Sequence, residues 1–172
     1  MSKKIVISFS GIRGCEIPLL YFGAKHFEDL GFEKVFINPF ISENADFQAA
    51  FEYTENKLQA LNLHEYDEVV FVAKSMGTVI ACKWKEKYNI SADLILFTPL
   101  NATLPYIKED NDVRLVAAGS KDKYLDAALL AEHCARENIK CYIEPGVGHR
   151  MEVMGDLQRN LEILKNVIGR ID

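Results

Sequence analysis

EVVFVAKSMGTVIACKW, residues 68–84, begins as an unbroken apolar run, passes a serine set among small residues, and continues with helical spacing. The run over 68–74 is rich in Val and Phe and carries no polar alternation, the pattern of a strand buried on both faces of a parallel sheet. The spacing that follows predicts a helix over 76–88. Ser75 therefore stands in the turn between a buried strand and a helix, with Ala73 and Gly77 two residues to either side. A sharp turn there strains its central residue and brings neighbouring chain close, so it requires small flanks.

Five more runs of the same character surround this one, at 5–10, 34–40, 92–98, 113–119 and 139–146. Between them the spacing is helical. Pro18, Leu19, Leu20, Phe27 and Leu30 make a helix that stops at Gly31, and Phe47, Phe51, Leu58 and Leu61 share a face after the second run. Leu157, Leu161, Leu164 and Ile168 form a stripe on the last helix. Strands that alternate with helices imply right-handed crossovers, and hence a doubly wound α/β domain: a three-layer sandwich around a six-stranded parallel sheet. With 172 residues, 49% of them hydrophobic, the chain is read as one domain over 1–172 with a single sizeable core. It contains no linker, repeat or low-complexity segment.

Composition narrows the function. A formal net charge of −5 and the lack of a Lys/Arg block argue against nucleic acid or an anionic membrane as a partner. The apolar run 5–9 is too short for a signal-peptide core or a membrane span, so the expected location is the cytoplasm. Cys15, Cys82, Cys134 and Cys141 form no CxxC pair, which fits free thiols and no metal site. The sheet has open edges, so either a monomer or a homodimer is expected.

Ligands of doubly wound sheets lie beyond the carboxyl ends of the strands, and this sorts the candidate residues. His26 and His133 fall inside predicted helices and His64 precedes the third strand, which leaves His149 in EPGVGHRMEV, between the last strand and the last helix. No Asp or Glu occurs between Leu94 and Lys108, so an acid just after the fourth strand is excluded. After the fifth strand, AAGSKDKYLD offers Asp122 near the strand end and Asp126, which reads as the cap of the next helix. Taken singly, each has an ordinary explanation: Ser75 as a helix N-cap, Asp122 in a solvated turn, His149 in a surface loop. Together they supply a nucleophile, its orienting acid and its base, each on a loop after its own strand.

The chain order Ser75, Asp122, His149, with AKSMG, GSKD and GVGH as its local signals, resembles the α/β-hydrolase superfamily over nearly the whole chain. The resemblance implies a minimal, lidless version of that fold, six strands where the full family sheet has eight. It implies a serine hydrolase that cleaves a carboxylic ester or thioester through an acyl-serine and needs no cofactor. It also implies an oxyanion hole from the backbone N–H of Met76 and of Gly11 or Ile12, with Ile12 favoured. Two departures stand out: Ala73 replaces the first glycine of the serine motif, and Ser10-Gly11 replaces the usual His-Gly.

With little chain available for a lid, the expected site is shallow and open, lined by Phe40, Ile41, Met76, Leu100, Leu104 and Met151. Arg13, Lys74, Lys121, Lys123 and Arg150 lie beside proposed site residues, a positive rim suited to an anionic acyl substrate, although such lysines are ordinarily just solvated. An unperturbed His149 predicts that activity falls below about pH 6.5. A non-catalytic binding module of the same fold and an amide or peptide hydrolase using the same triad remain as alternatives.

Overall fold

The structure is a computed structural model that describes residues 2–40 and 46–172; Ile41 lies outside the described residues. Six strands, β1 (Lys4–Phe9), β2 (Glu33–Ile37), β3 (Glu68–Lys74), β4 (Asp93–Phe97), β5 (Val113–Gly119) and β6 (Cys141–Glu144), alternate with helices α1 (Pro18–Asp29), α2 (Phe47–Gln59), α3 (Met76–Tyr88), α4 (Ala127–Arg136) and α5 (Leu157–Ile168). All strand pairs are parallel, in the order β2-β1-β3-β4-β5-β6.

The central strands carry side chains buried on both faces, as their continuous apolar runs require. One layer of core lies against α2, α3 and α4, where Phe9, Phe71, Ile80, Trp84 and Leu130 pack. The other lies against α1 and α5, where Leu20, Phe27, Phe97, Ile163 and Val167 pack. No helix among the described residues is long and apolar enough to cross a membrane.

Because β2 and β3 lie on opposite sides of β1, the strand order reverses there and opens a crevice at the carboxyl ends of β1 and β3. The loop after β1 and the β3–α3 turn flank that crevice. Two local expectations are corrected. The buried face of α5 centres on Ile163 and Val167, while Leu157 and Leu161 are 73% and 52% exposed. Leu61 falls beyond the end of α2.

Candidate active site

Ser75 holds the β3–α3 turn at φ 57°, ψ −127°, a left-handed conformation that costs a non-glycine residue energy. Gly77 explains why the turn needs small neighbours, since a Cβ there would lie 2.2 Å from the carbonyl oxygen of Phe9. Ser75 makes no side-chain cap on α3. Instead its Oγ lies 2.8 Å from His149 Nε2.

His149 arrives on the loop after β6. Gly119 lets that loop approach the end of β5, because a Cβ at this position would meet the Val147 oxygen at 2.2 Å. The N–H of Lys121 donates to the same Val147 oxygen at 2.8 Å, which ties the two loops together. His149 Nδ1 lies 2.8 Å from Asp122 Oδ2. A carboxylate only accepts, so the arrangement selects the tautomer with Nδ1–H donating to Asp122 and Nε2 free to accept from Ser75 Oγ–H. The Asp122 side chain is fully buried, and its other oxygen accepts from the N–H of Tyr124 at 2.9 Å. Asp126 caps α4 by accepting from Ala128 and Leu129, as its sequence position suggested. That helix starts at Ala127, directly after its cap.

Burial pushes the His149 imidazole below its ordinary range; hydrogen bonding to Asp122 opposes this and the nearby charge of Lys74 adds to it. The imidazole is therefore suited to act as a neutral base at and below neutral pH. The expectation of an acid limit at about 6.5 moves downward.

Met76 opens α3, where the first N–H groups lack intrahelical acceptors. Gly11 sits against Ser75, since a Cβ on it would lie 3.2 Å from Ser75 Cβ and 3.5 Å from Oγ. The N–H groups of Gly11 and Ile12 donate to no other described residue.

The site opens into a cavity of about 1090 Å³, at the upper end of the ~300–1,000 Å³ usual for ligand pockets, and so wider than the shallow site expected. Leu100, Met76 and Met151 line it. Phe40 and Leu104 do not: the structure places Phe40 in the core at 8% exposure and packs Leu104 against the same cluster. Sequence reasoning missed Ile17, Leu19, Leu157, Ile163 and Leu164, which form an apolar wall from α5 and the start of α1. It also missed Tyr124, whose ring meets the His149 ring edge-on at 4.7 Å. An aromatic two residues after the acid was the available signal.

All five cations of the proposed rim line the cavity, but they are not equivalent. Arg13 pairs with Glu152 at 3.5 Å. Lys74 is buried, so it does not belong to the rim. Lys121, Lys123 and Arg150 are exposed and have no ion-pair partner among the described residues.

No family model matches the chain, and no curated protein matches it in sequence. Solved structures do match. An alpha-beta serine hydrolase homologue from Coxiella burnetii is similar over 100% of this chain and 86% of its own, at 13% identity and a TM-score of 0.71. Est1E from Butyrivibrio proteoclasticus is similar over 99% and 89%, at 12% identity and a TM-score of 0.64. MGS-MChE2, an alpha/beta hydrolase enzyme from a metagenome of lagoon sediments at Mar Chica, Morocco, is similar over 98% and 92%, at 11% identity and a TM-score of 0.59. The chain has the α/β-hydrolase fold.

Proposed function

We propose that the protein is a serine hydrolase that cleaves a carboxylic ester or thioester through an acyl-serine intermediate. The observation that carries this reading is the unbroken relay from Ser75 Oγ to His149 Nε2 and from Nδ1 to Asp122, both steps at 2.8 Å, at the mouth of the cavity. A core has no packing need for a strained serine aimed at a histidine whose far side meets a buried carboxylate.

In this reading Ser75 Oγ bonds to the acyl carbon as its proton passes to His149 Nε2, and the carbonyl π electrons move onto oxygen. The N–H of Met76 and that of Ile12 or Gly11 receive the oxyanion. The intermediate collapses, the C–O or C–S bond breaks, and the leaving group takes the proton from His149. Water then adds to the acyl-Ser75, giving its proton to His149. The acyl–Oγ bond breaks, the proton returns to Ser75, and the acid departs. Asp122 holds the imidazole in the required tautomer throughout.

The cavity supports a substrate with two unlike ends. The apolar wall of Ile17, Leu19, Leu157, Ile163 and Leu164 suits an acyl chain. Lys121, Lys123 and Arg150 flank Asp122 and His149 in sequence and line the same cavity, and suit an anionic leaving group. Hydrolysis of two acyl esters differing only in leaving group, phenol or 4-carboxyphenol, tests this. The account expects about tenfold higher kcat/KM for the carboxyphenyl ester at low salt, fading as salt screens the cations. Equal rates at every salt concentration would remove the anionic leaving group from the reading. No hydrolysis of either ester would count against the hydrolase itself.

A further inference from the structure

Lys74, the residue immediately before the nucleophile, is used by none of the steps above. It is only 5% exposed. Its Nζ donates to Thr98 Oγ1 at 2.7 Å and to the main-chain oxygen of His149 at 2.8 Å. No carboxylate among the described residues lies within ion-pair distance of it. An ammonium buried without a paired carboxylate is costly, and burial pushes this one down to about 8. The charged groups that bear on it are Asp122 and Glu152, which favour its charge, and Arg13, which opposes it.

Backbone strain converges on the same three loops. Seven non-glycine described residues have positive φ, and four are Asn or Asp, which adopt that region readily. The other three are Ser75, Thr98 and Met151, at φ 57°, 42° and 60°. Ser75 directly follows Lys74, Thr98 accepts from Lys74, and Met151 belongs to the loop whose His149 carbonyl accepts from Lys74. Thr98 is a β-branched residue in a region it strongly avoids, and that conformation accompanies an Oγ1 presented to the ammonium.

We propose that Lys74 is a positioning residue: its ammonium ties the ends of β3 and β4 to the carbonyl of His149 and so fixes the imidazole against Ser75. The proposal rests on the reading of Ser75 and His149 as nucleophile and base. An ammonium suits the task because its three donors reach two acceptors from separate loops at once, which no apolar side chain of similar length does. Its charge acts on the base as well. The groups facing His149 are Asp122, which raises its proton affinity, Lys74 and Lys123, which lower it, and the edge of the Tyr124 ring. Loss of the Lys74 charge therefore leaves His149 easier to protonate.

The test compares wild type, Lys74→Met, Lys74→Arg and Thr98→Val for kcat, KM, the pH profile of kcat/KM and the rate of labelling by a fluorophosphonate. For Lys74→Met the proposal expects kcat to fall about 10- to 100-fold with KM within about twofold, and the acid limb to move to higher pH. Lys74→Arg retains the charge and recovers part of the rate with the acid limb near that of wild type. Thr98→Val removes one anchor but keeps the charge, so kcat falls while the acid limb stays in place. An unchanged kcat and an unmoved acid limb in Lys74→Met would overturn the proposal. If that variant does not fold by circular dichroism, an unchanged kcat in Thr98→Val overturns it instead. Wild type that fails to label at all would sink the reading beneath the proposal, whereas wild type and Lys74→Met labelling at the same rate would sink the proposal alone.

Discussion

The N-terminus of α3 and that of α4 begin on residues of the same capping class and end in opposite states. At α4, Asp126 keeps an extended backbone and its side chain accepts from two first-turn N–H groups. The side chains of Asp46 and Asp156 each accept from one N–H at α2 and α5. At α3, Ser75 is forced to φ 57°, leaves the first-turn N–H groups without a side-chain acceptor, and gives its hydroxyl to His149. A helix start that a serine usually stabilises is left open and strained where, in the proposed reaction, a carbonyl oxygen would need donors. Strain and unsatisfied donors are reservoirs a fold keeps where chemistry needs them.

Exchanging the roles of the two helix ends is the sharpest way to break this comparison. Ser75→Ala should lower kcat by about 10⁴-fold or more, yet shift the unfolding temperature little, because no cap is lost. A fall in stability equal to that of a lost cap, with activity retained, would return Ser75 to an ordinary helix start. Asp122→Asn should keep the geometry but favour the wrong imidazole tautomer, lowering kcat by up to about 10⁴-fold with little change in KM. A loss confined to KM would show instead that Asp122 serves substrate binding.

A smaller effect concerns pH. Burial and the Lys74 charge lower the proton affinity of His149, so the base stays neutral further into acid and the acid limb of kcat/KM should lie below about 6.5. A limb above that value would mean that the Asp122 carboxylate dominates over burial. Smallest is the complementary variant: Asp126→Ala should cost about 1 kcal/mol of stability, a drop of about 2–4 °C in Tm, and leave kcat/KM unchanged.

How far the sequence carries can be read from particular residues. The ranges of β3, α3 and β5 coincide with their apolar runs and spacing, because a buried parallel strand writes its burial directly into composition. Ser75, Asp122 and His149 were found by position relative to strand ends, and the structure brings the three side chains together. The face of α5 was less legible: Leu157 and Leu161 match the helical period as well as Ile163 does, and only the docking of α5 beside α1 decides which side is covered. Phe40 reads in sequence as available for a cavity wall and is core, because the layer packed against α2, α3 and α4 takes it in. Lys74 was the hardest to place, since a lysine in sequence is a solvated charge until the fold closes over it.

The central claim is that Ser75 is an activated nucleophile, and intact-protein mass spectrometry after treatment with a fluorophosphonate tests it most directly. The account predicts a single adduct on wild type that is lost in Ser75→Ala and in His149→Ala. Folded wild type that takes up no adduct, or an adduct that persists in Ser75→Ala, would contradict it.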